Sequence, residues 1–220
     1  MKILGIDTVT KVGSVAVLDN GKLLGKEIID TNLRHAAELI SAVDKLLRSV
    51  SLSVGEIGAI GVDVGPGSFT GIRVGIASVL GLAEPDDKKK IGVCSLEILA
   101  RQYAANCKDA DIVPFIDAKR GAVYAAFYSI RNGQIEAKKE PFLSTFNALL
   151  ESIPKGGVLF GPDMDRFTVF VDGKQGILAP KENVYPQAET LATLTDEKIA
   201  KKIVQKTLEP IYIHDVILGQ

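Results

Sequence analysis

Asp7 closes a short apolar run, Lys2-Ile3-Leu4-Gly5-Ile6, and is followed at once by Thr8 and Thr10. A carboxylate at a strand end, leading into a tight hydroxyl-bearing turn, can hold the phosphates of a nucleotide. The turn's N–H groups cradle the anion and the carboxylate acts through a bound cation. The plainer reading is that Asp7 merely forms the turn. A second candidate is Gly65-Pro66-Gly67-Ser68-Phe69-Thr70-Gly71-Ile72-Arg73-Val74-Gly75. Gly65 and Gly67 allow left-handed backbone or close approach, and Pro66 stiffens the turn between them. Ser68 can cap the helix that follows, whose N-terminal N–H groups suit an anion. Asp7, Thr8, Gly67 and Ser68 are therefore the candidate nucleotide or anion contacts. No Lys follows the loop as in a P-loop, Thr70 stands where a dinucleotide fingerprint needs its last glycine, and no G-x-S-x-G elbow is present. The alternative is a tight strand-to-helix corner.

Other chemistry is sparse. His35 and His214 are the two histidines, and neither belongs to an H-x-x-x-H or H-E-x-x-H pair, so no metal site is expected. Cys94 and Cys107 form no C-x-x-C motif and read as ordinary thiols of a cytoplasmic protein. Lys119 and Arg120 could meet phosphate or simply be solvated, and Lys198, Lys201, Lys202 and Lys206 read as a solvated helix face. With 26 basic against 27 acidic residues, the net charge of −1 argues against a stand-alone nucleic-acid binder. The 220 residues are 46% hydrophobic, enough for a globular core, while no apolar run approaches the ~18 residues of a membrane span. Met1-Lys2 runs straight into a strand-like segment, so no signal peptide is expected.

These residues must be positioned by an α/β scaffold. Strands are predicted over 2–7, 13–18 and 23–29, the last two joined at Asn20-Gly21, and an amphipathic helix over 33–50, capped by Thr31 or Asn32. A buried strand at 59–64 enters a helix at 70–83, followed by a strand at 91–93 and a helix at 96–106. The opening then recurs: 113–117 is an apolar run ending in Asp117, 123–129 is a strand, and Asn132-Gly133 mirrors Asn20-Gly21. Helices at 144–152 and 187–206 and a strand at 157–160 complete the second half. The repeat predicts two lobes, 1–108 and 109–220. In the 70–83 helix, Gly71 and Gly75 lie one turn apart, as do Ala77 and Gly81. Interior glycine costs a helix roughly 1 kcal/mol, so something packs closely there: the 33–50 helix, the sheet, or another protein.

Taken together, KILGIDT at the start, RHAAEL, GPGSFTGIRVG, DAKRGAVY, YPQAE and LEPIYIHD resemble the TsaB (YeaZ) family of tRNA threonylcarbamoyladenosine biosynthesis proteins, over nearly the whole chain. The resemblance implies an actin/Hsp70/sugar-kinase fold of two duplicated ribonuclease H-like lobes. It also implies a non-catalytic paralogue of TsaD, the glycoprotease-like subunit that carries an H-x-x-x-H metal pair; Ser95 and Leu99 stand at that place here. The implied role is a scaffold that binds and stabilises TsaD, alongside TsaE, while the complex adds threonylcarbamoyl to N6 of adenosine 37 in tRNAs reading ANN codons. The tRNA is then met only through the complex, no cofactor is bound by this chain alone, ATP or ADP enters at the complex level, and the isolated chain can form a homodimer. The implied contact with TsaD, or with a second copy, uses His35, Leu39, Val43, Gly71, Val74, Gly75, Ser78 and Val79. Two enzymatic alternatives stand beside it: an independent ATPase or sugar-kinase-class enzyme using Asp7 and Asp117, and, ranked last, a peptidase.

Overall fold

The computed structural model describes residues 1–30, 35–171, 184–203, 205 and 207–213. β1 (Lys2–Asp7), β2 (Val12–Asp19) and β3 (Lys22–Asp30) form an antiparallel meander. Asn20 and Gly21 both adopt left-handed backbone, φ 48° and 77°, as a tight two-residue hairpin requires. α1 (His35–Ser49) follows, then β4 (Ala59–Asp63), which lies parallel to β1 on its other side. α2 (Phe69–Ala83) returns the chain to β5 (Lys89–Val93), giving the order β3-β2-β1-β4-β5. β4 is buried along its whole length, the mark of a parallel strand covered on both faces.

Alternation along the strands sends Leu4, Ile6, Ile60 and Val62 into one core with Leu39, Val43, Leu46 and Leu47 of α1 and Val79 of α2. The opposite face carries Ile3, Gly5, Ala59 and Gly61, and is covered by α6 (Ala188–Ala200). Gly5 and Gly61 lie side by side in register. A Cβ on Gly5 would collide with the Ala188 carbonyl, and one on Gly61 with Thr195 Oγ1. The two glycines therefore make the groove in which α6 lies, with Ala188, Ala192 and Thr195 at helical spacing towards it.

The second sheet repeats the plan. β6 (Ala110–Lys119), β7 (Ala122–Arg131) and β8 (Gln134–Thr145) form a meander, and β9 (Val158–Phe160) lies parallel to β6, in the order β8-β7-β6-β9. α4 (Phe146–Ser152) and α5 (Met164–Val171) cover a core of Val113, Phe115, Leu149, Leu159, Met164 and Phe167. α3 (Ser95–Ala104) carries the chain from one unit to the other. The β3-β2-β1-β4 order of the first sheet thus recurs as β8-β7-β6-β9 in the second.

Three expectations change. The compact units are Met1–Ile98 with Pro186–Ile211, and Leu99–Tyr185 with the C-terminal residues, in place of a single division between 108 and 109. The reason is the glycine groove, which draws α6 back to the first sheet. The 187–206 helix is shorter, with Lys201 as its C-cap. Lys206 lies outside the described residues. β8 and α5 went unpredicted: β8 is an edge strand with few buried side chains and Pro141 within it, so no period-2 pattern marks it.

Candidate functional site

The end of β1, the corner after β4 and the start of α3 meet in one buried knot. Asp7 Oδ1 accepts from Val9 N (3.0 Å), and Thr8 Oγ1 donates to the Gly71 carbonyl (2.7 Å). Ser68 N donates to the Val9 carbonyl (2.8 Å), and Ser68 Oγ, as N-cap of α2, accepts from Gly71 N (3.2 Å). Asp63 Oδ1 accepts from Gly65 N (2.8 Å) and Ser95 Oγ (2.6 Å). Gly65, at φ +98°, supplies the left-handed backbone that the corner needs.

Asp7 and Asp63 have no solvent exposure, and neither Oδ2 atom receives an N–H or O–H. Burial, then the neighbouring Asp63, push the Asp7 carboxyl well above the usual range. Burial likewise raises Asp63, to about 7, against the hydrogen bonds from Ser95, Gly65 N and Asp7. A proton held between the two carboxyls satisfies both orphaned oxygens. A divalent cation would need six or more oxygen ligands, which this closed knot does not supply. Two of the expected nucleotide contacts, Asp7 and Thr8, are corrected accordingly, while Ser68 takes the N-cap role expected of it. Asp7 and Thr8 are sealed beneath the start of α2, a Cβ on Gly67 would stand 2.8 Å from the Val9 carbonyl, and Ser68 spends its hydroxyl on the cap. The knot's chemistry is structural: it fixes α2 on the first sheet.

The residues expected to face a partner are divided by the same packing. A Cβ on Gly71 would collide with the Thr8 carbonyl, and one on Gly75 would stand 2.7 Å from Thr8 Oγ1. Leu39, Val43 and Val79 lie wholly within the core. All five are corrected to core positions, closed by the β1–β2 turn and the sheet. Val74 and Ser78 are half-buried, and the His35 side chain and all of His214 lie outside the described residues.

What does face outward is the other small pair of the sequence reading, Ala77 and Gly81, together with Phe69, Leu80 and Ile40, which it did not single out. Phe69, Ala77, Leu80 and Gly81 stand on the outer side of α2 and Ile40 on that of α1, with Phe69, Leu80 and Ile40 exposed by 54%, 45% and 46%. Arg73 lies over the Phe69 ring at 3.7 Å. Gly81 has open space where a Cβ would be, so the Ala77–Gly81 pair, and not Gly71–Gly75, is the small-residue step on the outside. At the place of the expected histidine pair, Ser95 binds Asp63 and Leu99 is fully buried. Among the described residues, no three His, Cys, Asp or Glu side chains cluster to hold a metal.

Residues 29–213 match the family model described as TsaD, tRNA N6-adenosine threonylcarbamoyltransferase. The chain belongs to the TsaD family, in its TsaB (YeaZ) branch. It is 29% identical to the tRNA threonylcarbamoyladenosine biosynthesis protein TsaB of Bacillus subtilis, over 92% of this chain and 90% of that one. The solved structure of YeaZ from Pseudomonas aeruginosa superposes with a TM-score of 0.80 at 24% identity, covering 96% of this chain and 99% of that one. An activator of 2-hydroxyisocaproyl-CoA dehydratase from Clostridium difficile, with bound ADPNP, shares the fold at 12% identity, with a TM-score of 0.53, covering 94% of this chain and 99% of that one. These likenesses place the TsaB-branch chain in the actin/Hsp70/sugar-kinase fold class. No helix among the described residues is long and apolar enough to cross a membrane.

Proposed function

We propose that this chain is a scaffold subunit in the synthesis of threonylcarbamoyladenosine in tRNA, and that it holds TsaD through the outer face of α1 and α2. The observation that carries this reading is the division of α2. One side is closed on Thr8 and the sheet, while Phe69, Ala77, Leu80 and Gly81 of α2, like Ile40 of α1, are exposed and unused by the chain's own core. An apolar helix face of this kind, with small residues that admit a close neighbour, suits a partner helix. The match to the TsaD family model and the likeness to TsaB proteins support TsaD as the owner of that helix.

The same reading gives the chain no chemistry of its own. Ser95 and Leu99, at the place where the resemblance puts TsaD's metal pair, are committed to a hydrogen bond and to the core. An independent ATPase acting through Asp7 and Asp117 has little support, since Asp7 is sealed and Asp117 is already ion-paired with Lys119 and Arg166. TsaE, tRNA and ATP or ADP would then be met in the cytoplasmic complex, and a free chain would cover the same face with a second copy. Co-purification with TsaD tests the contact. Leu80→Asp combined with Ile40→Asp is expected to weaken pairing at least tenfold while leaving cooperative unfolding intact. Unimpaired pairing would sink the assignment, and threonylcarbamoyl transfer by this chain alone would sink the scaffold role.

A further inference from the structure

Each sheet ends in two edge strands, and three of these four edges carry a device that discourages pairing with another chain. At β5, Gln205 Oε1 accepts from Gly92 N (2.7 Å), so a side chain stands where a further strand would bond. β8 contains Pro141, which has no N–H to offer, and shifts register twice against β7. β9 is three residues long. β3 differs from all of them. Its register against β2 shifts once, between Val17 and Leu18, which leaves Leu24 unpaired. From Gly25 to Asp30 it then runs in unbroken register and without proline.

Ile28 lies inside that regular stretch and is 72% exposed, more than any other large apolar side chain among the described residues. Its partner on β2, Ser14, accepts from Ala188 N at the start of α6 (2.9 Å), and Lys26 reaches Glu189 (3.1 Å). Lys26 and Ile28 therefore share the α6 side of the sheet, and Asp30 follows in the same alternation. Read along β3, the order is cation, apolar, acid. Reversed, it is its own complement. In a two-fold pair, residue i meets j wherever j meets i. An axis at Ile28 sets Ile28 against Ile28, and Lys26 against Asp30 twice over. An axis at Lys26 would bring like charges together, and one at Glu27 or Ile29 would set Ile28 against a charged residue.

We propose that β3 pairs antiparallel with β3 of a second copy of this chain, about a two-fold axis at Ile28, joining the two first sheets edge to edge. The bulge at Leu24 limits the pairing to the regular stretch and so to one register. The surface is distinct from the outer face of α1 and α2. If that face holds TsaD as proposed above, a paired chain carries two TsaD subunits, one on each copy.

Sedimentation equilibrium of the full chain tests the pairing. Leu80→Asp with Ile40→Asp removes the helix face as a source of self-association, and this double variant is expected to keep the mass of two chains at micromolar concentration. Adding Ile28→Lys should weaken association at least tenfold, and Ile28→Thr, which keeps the β-branch, should weaken it in the same direction. Ile28 is exposed, so Ile28→Thr is expected to melt within a few degrees of the parent. Lys26→Asp should also weaken association, and joining it to Asp30→Lys should restore it. The proposal is overturned if the double variant has the mass of one chain, if both Ile28 variants associate like the parent, or if the charge exchange restores nothing. These masses are read without TsaD, so a failure of the TsaD contact leaves them unchanged and the two readings fail separately.

Discussion

Asp7 and Asp63 end neighbouring parallel strands and are both wholly buried. The groups around them do not titrate near neutrality: Ser95 is a hydroxyl, and burial pushes the nearby Cys94 thiol up to about 12. Both carboxyls are raised in the fold, so the folded chain holds more protons than the unfolded one, and stability must fall as pH rises from the ordinary carboxylate range through about 7. Urea unfolding between pH 5 and 8 should show this loss, on the order of a few kcal/mol. Asp7→Asn, whose amide can donate to Asp63, should flatten the profile and stabilise the chain at pH 8. An unchanged slope would mean that the pair does not share a proton. Asp7 was legible in the sequence because a turn with hydroxyls follows it, and of its two readings the hydrogen bond from Val9 N fits the turn-former. Asp63 was missed although the same pattern, apolar-Gly-apolar-Asp, stands at 4–7 and 60–63. A repeat that short gains meaning only when two strands are known to lie in register.

α2 shows what periodicity can and cannot say about an element. At 100° per residue, Gly71 and Gly75 share one side and Ala77 and Gly81 another. The sequence therefore separates the pairs but does not tell which faces inward. That depends on Thr8, more than 60 residues away, whose hydroxyl donates to the Gly71 carbonyl. The consequence is measurable by substitution. Gly71→Ala should cost about 1–3 kcal/mol, because the new methyl meets backbone rather than a yielding side chain. Gly81→Ala should gain about 0.5–1 kcal/mol, since it removes glycine's helix penalty in open space. Equal effects in thermal unfolding would contradict the inward and outward assignment. The strands with clear alternation or continuous apolar runs, β1, β2, β4, β6 and β7, were visible beforehand. β8 was not, because an edge strand with one weakly buried face carries almost no hydrophobic signal.

At the scale of the molecule, the repeat of Asp-ended strands and Asn-Gly turns revealed two lobes, yet it placed their boundary by sequence order alone. Nothing local in 188–200 announces which sheet it covers. Its small residues acquire that meaning only from Gly5 and Gly61. A fragment of residues 1–108 should consequently expose the glycine-bearing face and unfold without cooperativity, whereas the intact chain unfolds sharply. A sharply cooperative transition in the fragment would show that α6 is dispensable. The return of α6 also reverses the usual order of synthesis and folding. Domains ordinarily fold from the N-terminus as they leave the ribosome, at ~5–20 residues per second. Here the N-terminal sheet must wait, one face bare, until Pro186–Ile211 has been translated, while nearly all of the second unit is already outside and can close first. The part of the chain made earliest is finished last, and that interval is when a nascent chain most needs protection from its neighbours.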